Sequence, residues 1–299
     1  MELQVVTVPY RYDEYQQGTG GGPQALLDAN LIDGLTTESI RPELAGAAFL
    51  ADEDRQPGRT AINIGKLGAS TANLVSRTRN AGAACLVLAG DDTAAIGVVS
   101  GLQAAHGPGA RIGIIWVDAH GDFNTPETSY SGILAGMSLA IVAGLAGPKW
   151  RDAAQMAAPI PTDRIIIVGA RQLDAKEEAL LRVTDVSVVT TNELVESCGL
   201  HPSLERLIGT VDMISLHVDL DVLEPHLVPS SSTPSPDGLT IEQAATTLGS
   251  ILGCGKVATL TIVGTNPGGG NRGRRTIQSA MSLLTEAIPL WTQAPPPPI

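Results

Sequence analysis

Short, strongly apolar runs punctuate the chain, at residues 3–8, 84–88, 111–117, 164–168, 186–190, 213–218 and 258–263. Most are near-continuous in Val, Ile and Leu and do not alternate with polar residues, which is the pattern of strands buried on both faces. Between them, residues 70–79, 93–105, 133–143, 176–182, 241–252 and 276–288 carry apolar side chains at helical spacing. The alternation predicts an α/β fold, a three-layer αβα sandwich around a mainly parallel sheet with right-handed crossovers. Residues 18–23 and 268–273 read as loops, because Gly and Pro fill most of their positions. No internal repeat or shift of composition marks a boundary, so residues 1–292 are expected to form a single domain. The prolines at 295–298 make 293–299 a stiff, extended tail that cannot join a core.

Charge narrows the partners. Nineteen Lys and Arg stand against thirty-one Asp and Glu, a formal net charge of −12. Nucleic acid and anionic membranes are recognised by surplus basic side chains, so both are excluded as expected partners. No unbroken apolar stretch reaches the roughly 18 residues of a membrane span. Cys85, Cys198 and Cys254 are odd in number and far apart, which fits a reducing cytoplasm and not a disulfide framework.

In open α/β sheets ligands sit beyond the carboxyl ends of the strands, and three of the apolar runs end in acid. The first closes on Ala89-Gly90-Asp91-Asp92-Thr93, the second on Val117-Asp118-Ala119-His120-Gly121-Asp122, the third on His217-Val218-Asp219-Leu220-Asp221. If strand geometry continues to the end of each run, Asp118, His120 and Asp122 converge on one side, and His217, Asp219 and Asp221 do the same. Asp91, just ahead of Thr93 and a helix, also fits a helix-capping role. Burying even one uncompensated carboxylate costs several kcal/mol, so a gathering of them calls for divalent cations, two more readily than one. Carboxylates with an imidazole favour Mn²⁺ among the common ions.

At these segments the sequence resembles the arginase–agmatinase (ureohydrolase) superfamily. Gly20-Gly21-Gly22-Pro23-Gln24-Ala25-Leu26 is similar to that family's early glycine-proline turn. Residues 117–126 are close to its DAHxDxNTP signature, and residues 217–225, with Thr233-Pro234 and Gly238-Leu239-Thr240 following, are similar to its SxDxDxxDP segment. The resemblance implies an arginase-like sandwich, assembly into homo-oligomers such as trimers or hexamers, and two Mn²⁺ ions bridged by hydroxide. Carried across by position, the metal ligands are Asp118, His120, Asp122, Asp219 and Asp221. Asn124 and Ser131 take places that contact an amino-acid carboxylate in arginases, and Asp174 takes one that meets the substrate amino group. Asp122 and Asp174 are thereby the candidate catalytic residues.

Departures from the family pattern qualify the activity. The first ligand is usually the His of GGDHS. Here Asp92 stands in its place, and His217, where the family commonly has Ser, is the other candidate to complete the site. The acid His of SGNLHG is replaced by Ala135. The guanidinium-binding Glu of EVNP is replaced by Gly264, although a guanidinium needs a carboxylate for its planar fork of donors. Glu127 is a candidate substitute. Arg272, Arg274 and Arg275 read as a solvated loop or a contact between subunits, or as a reach toward an anionic group. Together these readings predict a metal-dependent hydrolase of non-peptide C–N bonds in a small guanidino or amidino compound other than plain arginine. The alternative is a non-catalytic or regulatory relative that keeps its metals.

Overall fold

The computed structural model describes residues 1–107, 109–197 and 199–292. Cys198 and the expected tail at 293–299 lie outside the described residues. The strands in chain order are β1 (Glu2–Val8), β2 (Tyr10–Arg11), β3 (Glu14–Tyr15), β4 (Arg41–Ala47), β5 (Ala84–Ala89), β6 (Ile112–Val117), β7 (Ile165–Ala170), β8 (Ser187–Thr190), β9 (Met213–Asp219) and β10 (Val257–Val263). Eight of them form one sheet in the order β4-β1-β5-β10-β9-β6-β7-β8, and β2 pairs with β3 in a small antiparallel ribbon. Every neighbouring pair in the large sheet is parallel.

The helices are α1 (Gly22–Asp28), α2 (Leu31–Leu35), α3 (Thr60–Asn80), α4 (Ala94–His106), α5 (Ser138–Val142), α6 (Pro148–Ala153), α7 (Ala175–Leu181), α8 (Thr191–Ser197), α9 (Leu200–Thr210), α10 (Ile241–Leu252) and α11 (Asn271–Ala287). They cover both faces of the sheet. Along β5, Ala84, Leu86 and Leu88 pack toward α1, α2, α9, α10 and α11, while Cys85, Val87 and Ala89 pack toward α3, α4, α5 and α6. A strand that feeds two cores must be apolar at every position, which is why the run reads as continuous.

Several expected boundaries are corrected. The segment at 18–23 is not a loop: a 3-10 turn over Gly18–Gly21 leads into α1, with Pro23 in the first turn where its missing N–H costs nothing. Gly22 approaches the loop after β10 so closely that an added Cβ would lie 2.1 Å from the Thr265 carbonyl oxygen. Likewise α11 begins at Asn271, inside the second expected loop. Helix α3 begins ten residues before the expected start at 70; Asn63, Gly65 and Gly68 weaken its helical signal. The stretch expected as a helix over 133–143 is a 3-10 turn, Ala135–Met137, followed by the short α5. Strand β4 escaped notice because it lies at the sheet edge, carries Pro42 and Gly46, and fully buries only one residue. No helix among the described residues is long and apolar enough to cross a membrane.

Candidate metal centre

Three strands in the middle of the sheet, β5, β9 and β6, with β10 between the first two, deliver the acids to one place at their carboxyl ends. Asp92 follows β5, Asp118 follows β6, and Asp219 closes β9 with Asp221 in the 3-10 turn Leu220–Val222. Strand alternation is not what makes Asp118, His120 and Asp122 converge. Strand β6 stops at Val117, and Asp122 adopts a left-handed backbone conformation, φ +48°. Its carbonyl accepts the N–H groups of Leu139 and Ala140, so the first turn of α5 finds partners for its free amides and holds the bend in place.

The result is a cleft of about 250 Å³. Asp92, Asp118, His120, Asp122, Asp219 and Asp221 all line it, and His217 does not. Two groups of side chains bring their donor atoms within 4.8 Å of one another: Asp118 with His120 and Asp221, and Asp92 with Asp118 and Asp122. Asp118 is common to both. His120 Nδ1 lies 3.2 Å from Asp118 Oδ1 and 3.2 Å from Asp221 Oδ2. The Thr233 hydroxyl donates to Asp221 Oδ2 at 2.8 Å, and the Asp221 amide to Asp219 Oδ1 at 2.7 Å. One buried oxygen, Asp122 Oδ2, has no hydrogen-bond partner.

Crowding sets the protonation. Burial first, then the neighbouring carboxylates, push Asp92, Asp118, Asp122 and Asp219 well above the usual carboxylate range. Burial disfavours the charged form of His120, but the carboxylates of Asp118 and Asp221 outweigh it and raise the ring to about 11. Asp221 is buried too, yet its contact with His120 holds it low.

His217 stands behind this layer. It is buried on the β9 face toward α4, with Nε2 2.9 Å from Asp92 Oδ1, and burial lowers its pKa to about 3. Asp91 does not cap α4, whose N-cap is Thr93; it closes the turn ahead of the helix, its carboxylate accepting the Thr93 amide at 3.0 Å and the Thr93 hydroxyl and Tyr12 amide at 2.5 Å.

At the mouth, Asn124 donates to Asp174 at 3.2 Å, and Ser131, Tyr130, Ile133 and Ala135 complete the lining. Glu127 is exposed and does not line the cleft, so it is not the substitute carboxylate. Glu177, overlooked from the sequence, does line it. Its oxygens accept the Phe123 and Asp174 amides at 2.8 and 3.1 Å, tying the loop after β6 to the start of α7. The spacing Asp174-x-x-Glu177 is a capping-box signature and was the available signal. Gly264 has φ +81°, and a Cβ there would lie 2.5 Å from Asp219 Oδ1, so any side chain at this position strains the backbone and must displace the Asp219 carboxylate.

The Arginase family model matches residues 1–289. The arginase of Bacillus subtilis (strain 168) is 28% identical over 271 residues, covering 89% of this chain and 90% of the relative. A crystal structure of Bacillus subtilis arginase superposes with a TM-score of 0.84 at 27% identity, covering 96% of this chain and 98% of that one. Formimidoylglutamase from Bacillus subtilis subsp. subtilis str. 168 shares the fold, with a TM-score of 0.70 at 18% identity over 97% of this chain and 86% of that one. The parallel sheet, the strand-end acids and a family match running almost the full length agree: the chain belongs to the arginase family of hydrolases.

Proposed function

We propose that the chain is a Mn²⁺-dependent hydrolase of non-peptide C–N bonds in a small guanidino or amidino compound other than plain arginine. The observation that carries this reading is the pair of overlapping donor groups sharing Asp118 on the wall of one cleft. The donor set fits divalent cations: it is oxygen-rich, contains one imidazole, and leaves Asp122 Oδ2 buried with nothing to bond. Asp118, His120 and Asp221 would hold one ion, and Asp92, Asp118 and Asp122 the other, with Asp219 lining the same space. When bound, such ions polarise a substrate and make water acidic enough to supply a nucleophile at neutral pH.

The chain's own residues shape what enters. Asp174 and Glu177 place negative charge where an amine would dock, and Asn124 orients Asp174. Lys176 Nζ stands 5.3 Å from the centroid of the Tyr130 ring, at the mouth, where it can meet a carboxylate. Those features support an amino-acid-shaped ligand. Gly264 provides no carboxylate for a guanidinium, and Ala135 provides no acid to protonate a leaving amine, help usually worth about 10²–10⁴ in rate. The same two residues favour the second reading, a metal-holding relative without turnover.

The test is bound metal per chain after purification with Mn²⁺, followed by urea, ammonia or amine release across guanidino and amidino compounds. Two equivalents with product release support the hydrolase. Two equivalents without release favour the second reading, and one or none removes the two-ion centre.

Protons and metal compete for these ligands. Asp92, Asp118, Asp122 and Asp219 have raised values in the fold, so the stability they contribute is present in acid and lost as pH rises through those values. Cations restore it by taking the place of the protons. The gain in unfolding free energy on adding Mn²⁺ is therefore expected to be larger at about pH 7.5 than at about pH 5.5, approaching ~2.7 kcal/mol per ion at a hundredfold excess over Kd, with Tm rising accordingly. Equal gains at both pH values, measured by differential scanning calorimetry, would remove these carboxyls from the binding site.

A further inference from the structure

The chain has exchanged two residue types relative to the family pattern it resembles. A carboxylate, Asp92, occupies the position of the usual first imidazole, and an imidazole, His217, occupies that of the usual Ser. The structure shows that these changes meet. His217 Nε2 is 2.9 Å from Asp92 Oδ1, and both side chains are almost wholly buried. Once Asp92 is ionised, as a metal ligand must be, it only accepts, and the contact is then a hydrogen bond with the ring proton on Nε2. The other ring nitrogen, Nδ1, is buried without a partner.

The ring is held flat. His217 on β9 is the register partner of Trp116 on β6, and their rings stack with centroids 3.7 Å apart and planes 8° from parallel. The Trp116 indole N–H donates to Asp118 Oδ2 at 3.1 Å. Two stacked rings on adjacent strands thus aim one donor each at Asp92 and Asp118, which belong to the same donor group.

We propose that His217 is a positioning residue: held by Trp116, it occupies one oxygen of Asp92 and presents the other to a divalent cation, so that a carboxylate can serve where the family pattern has an imidazole. This rests on the metal-centre reading above. It also accounts for an imidazole that stands outside the lining of the cleft and leaves a nitrogen unbonded. An orphaned buried nitrogen is tolerable where its partner nitrogen has a fixed task, since lost outer contacts to metal ligands typically cost 10–100-fold in affinity.

The experiment is Mn²⁺ titration of metal-free native protein, His217→Phe and His217→Gln, by calorimetry and by the electron paramagnetic resonance of free Mn²⁺, with the Tm of each metal-free protein. Phe keeps the stacked ring and removes the donor; Gln removes the ring and keeps an N–H donor. Expected are two ions in the native protein, a 10–100-fold weaker second ion in His217→Phe with little change in metal-free Tm, and recovery to within a few-fold in His217→Gln. Native-like binding of both ions by His217→Phe overturns the proposal while leaving the metal centre intact. Equal loss of affinity in both variants, alongside equal falls in metal-free Tm, also overturns it by making the role structural. A native protein that binds no Mn²⁺ removes the metal-centre reading, and the proposal falls with it.

Discussion

Asp118→Asn is expected to empty both cation positions at once. Asp118 is the one side chain common to the two donor groups, and it already accepts the Trp116 indole and the His120 amide, so its orientation is fixed before any ion arrives. The substitution keeps the volume and removes the charge. Losses in affinity should exceed the roughly 10–100-fold typical of an outer contact, and hydrolysis should fall to background. The metal-free protein should be no less stable than the native one, because burial and the neighbouring carboxylate Asp221 make this carboxylate costly to ionise. Metal analysis and calorimetry of both states check this together. An Asp118→Asn protein that retains two equivalents would show that the overlapping groups are not the centre.

The other large effect is at Gly264. An alanine there needs a left-handed backbone, at about 1–2 kcal/mol, and drives a methyl to 2.5 Å from Asp219 Oδ1, an overlap costing ~1–3 kcal/mol. Gly264→Ala should lose roughly 2–4 kcal/mol in total and weaken Mn²⁺ binding by displacing Asp219. Gly264→Glu, which reinstates the residue type of the family pattern, should fare no better and gain no arginine hydrolysis. Unfolding measurements with and without Mn²⁺, plus a urea assay, decide it. A stable Gly264→Glu protein that hydrolyses arginine would refute the steric argument.

Much of this was readable from the chain because the acids sit at the ends of runs too apolar to be anything but buried strands. The run at 84–88 is strand β5, ending one residue later, and residues 241–252 are helix α10 with the expected limits. Elements with mixed signals were lost. Helix α9, absent from the expected elements, buries Leu200, Leu204 and Leu207 at helical spacing, but Gly199 and Pro202 at its start weaken the helical signal. The strand-end logic found the acids but, being blind to helices, not Glu177 at the start of α7. It also left Asp92 and His217 as rivals. Their relation depends on the register of β6 against β9 and on α4 closing over β5, which are facts of tertiary packing.

The order of strands has a consequence for how the protein is made. Strand β10 is the last of the sheet in sequence, yet it lies between β5 and β9, and the acids on either side of it are separated by more than a hundred residues of chain. While the ribosome is still translating residues 257–263, Asp92 has no fixed neighbour in Asp219 or Asp221. A nascent chain therefore holds Asp92 apart from the carboxylates of the adjacent strands β9 and β6, and the donor group that includes Asp92 can close only after the final strand has been threaded into the middle. Closure over such distances is slow, so incomplete chains would be expected to leave a central gap with unpaired edges, the kind of surface on which aggregation begins.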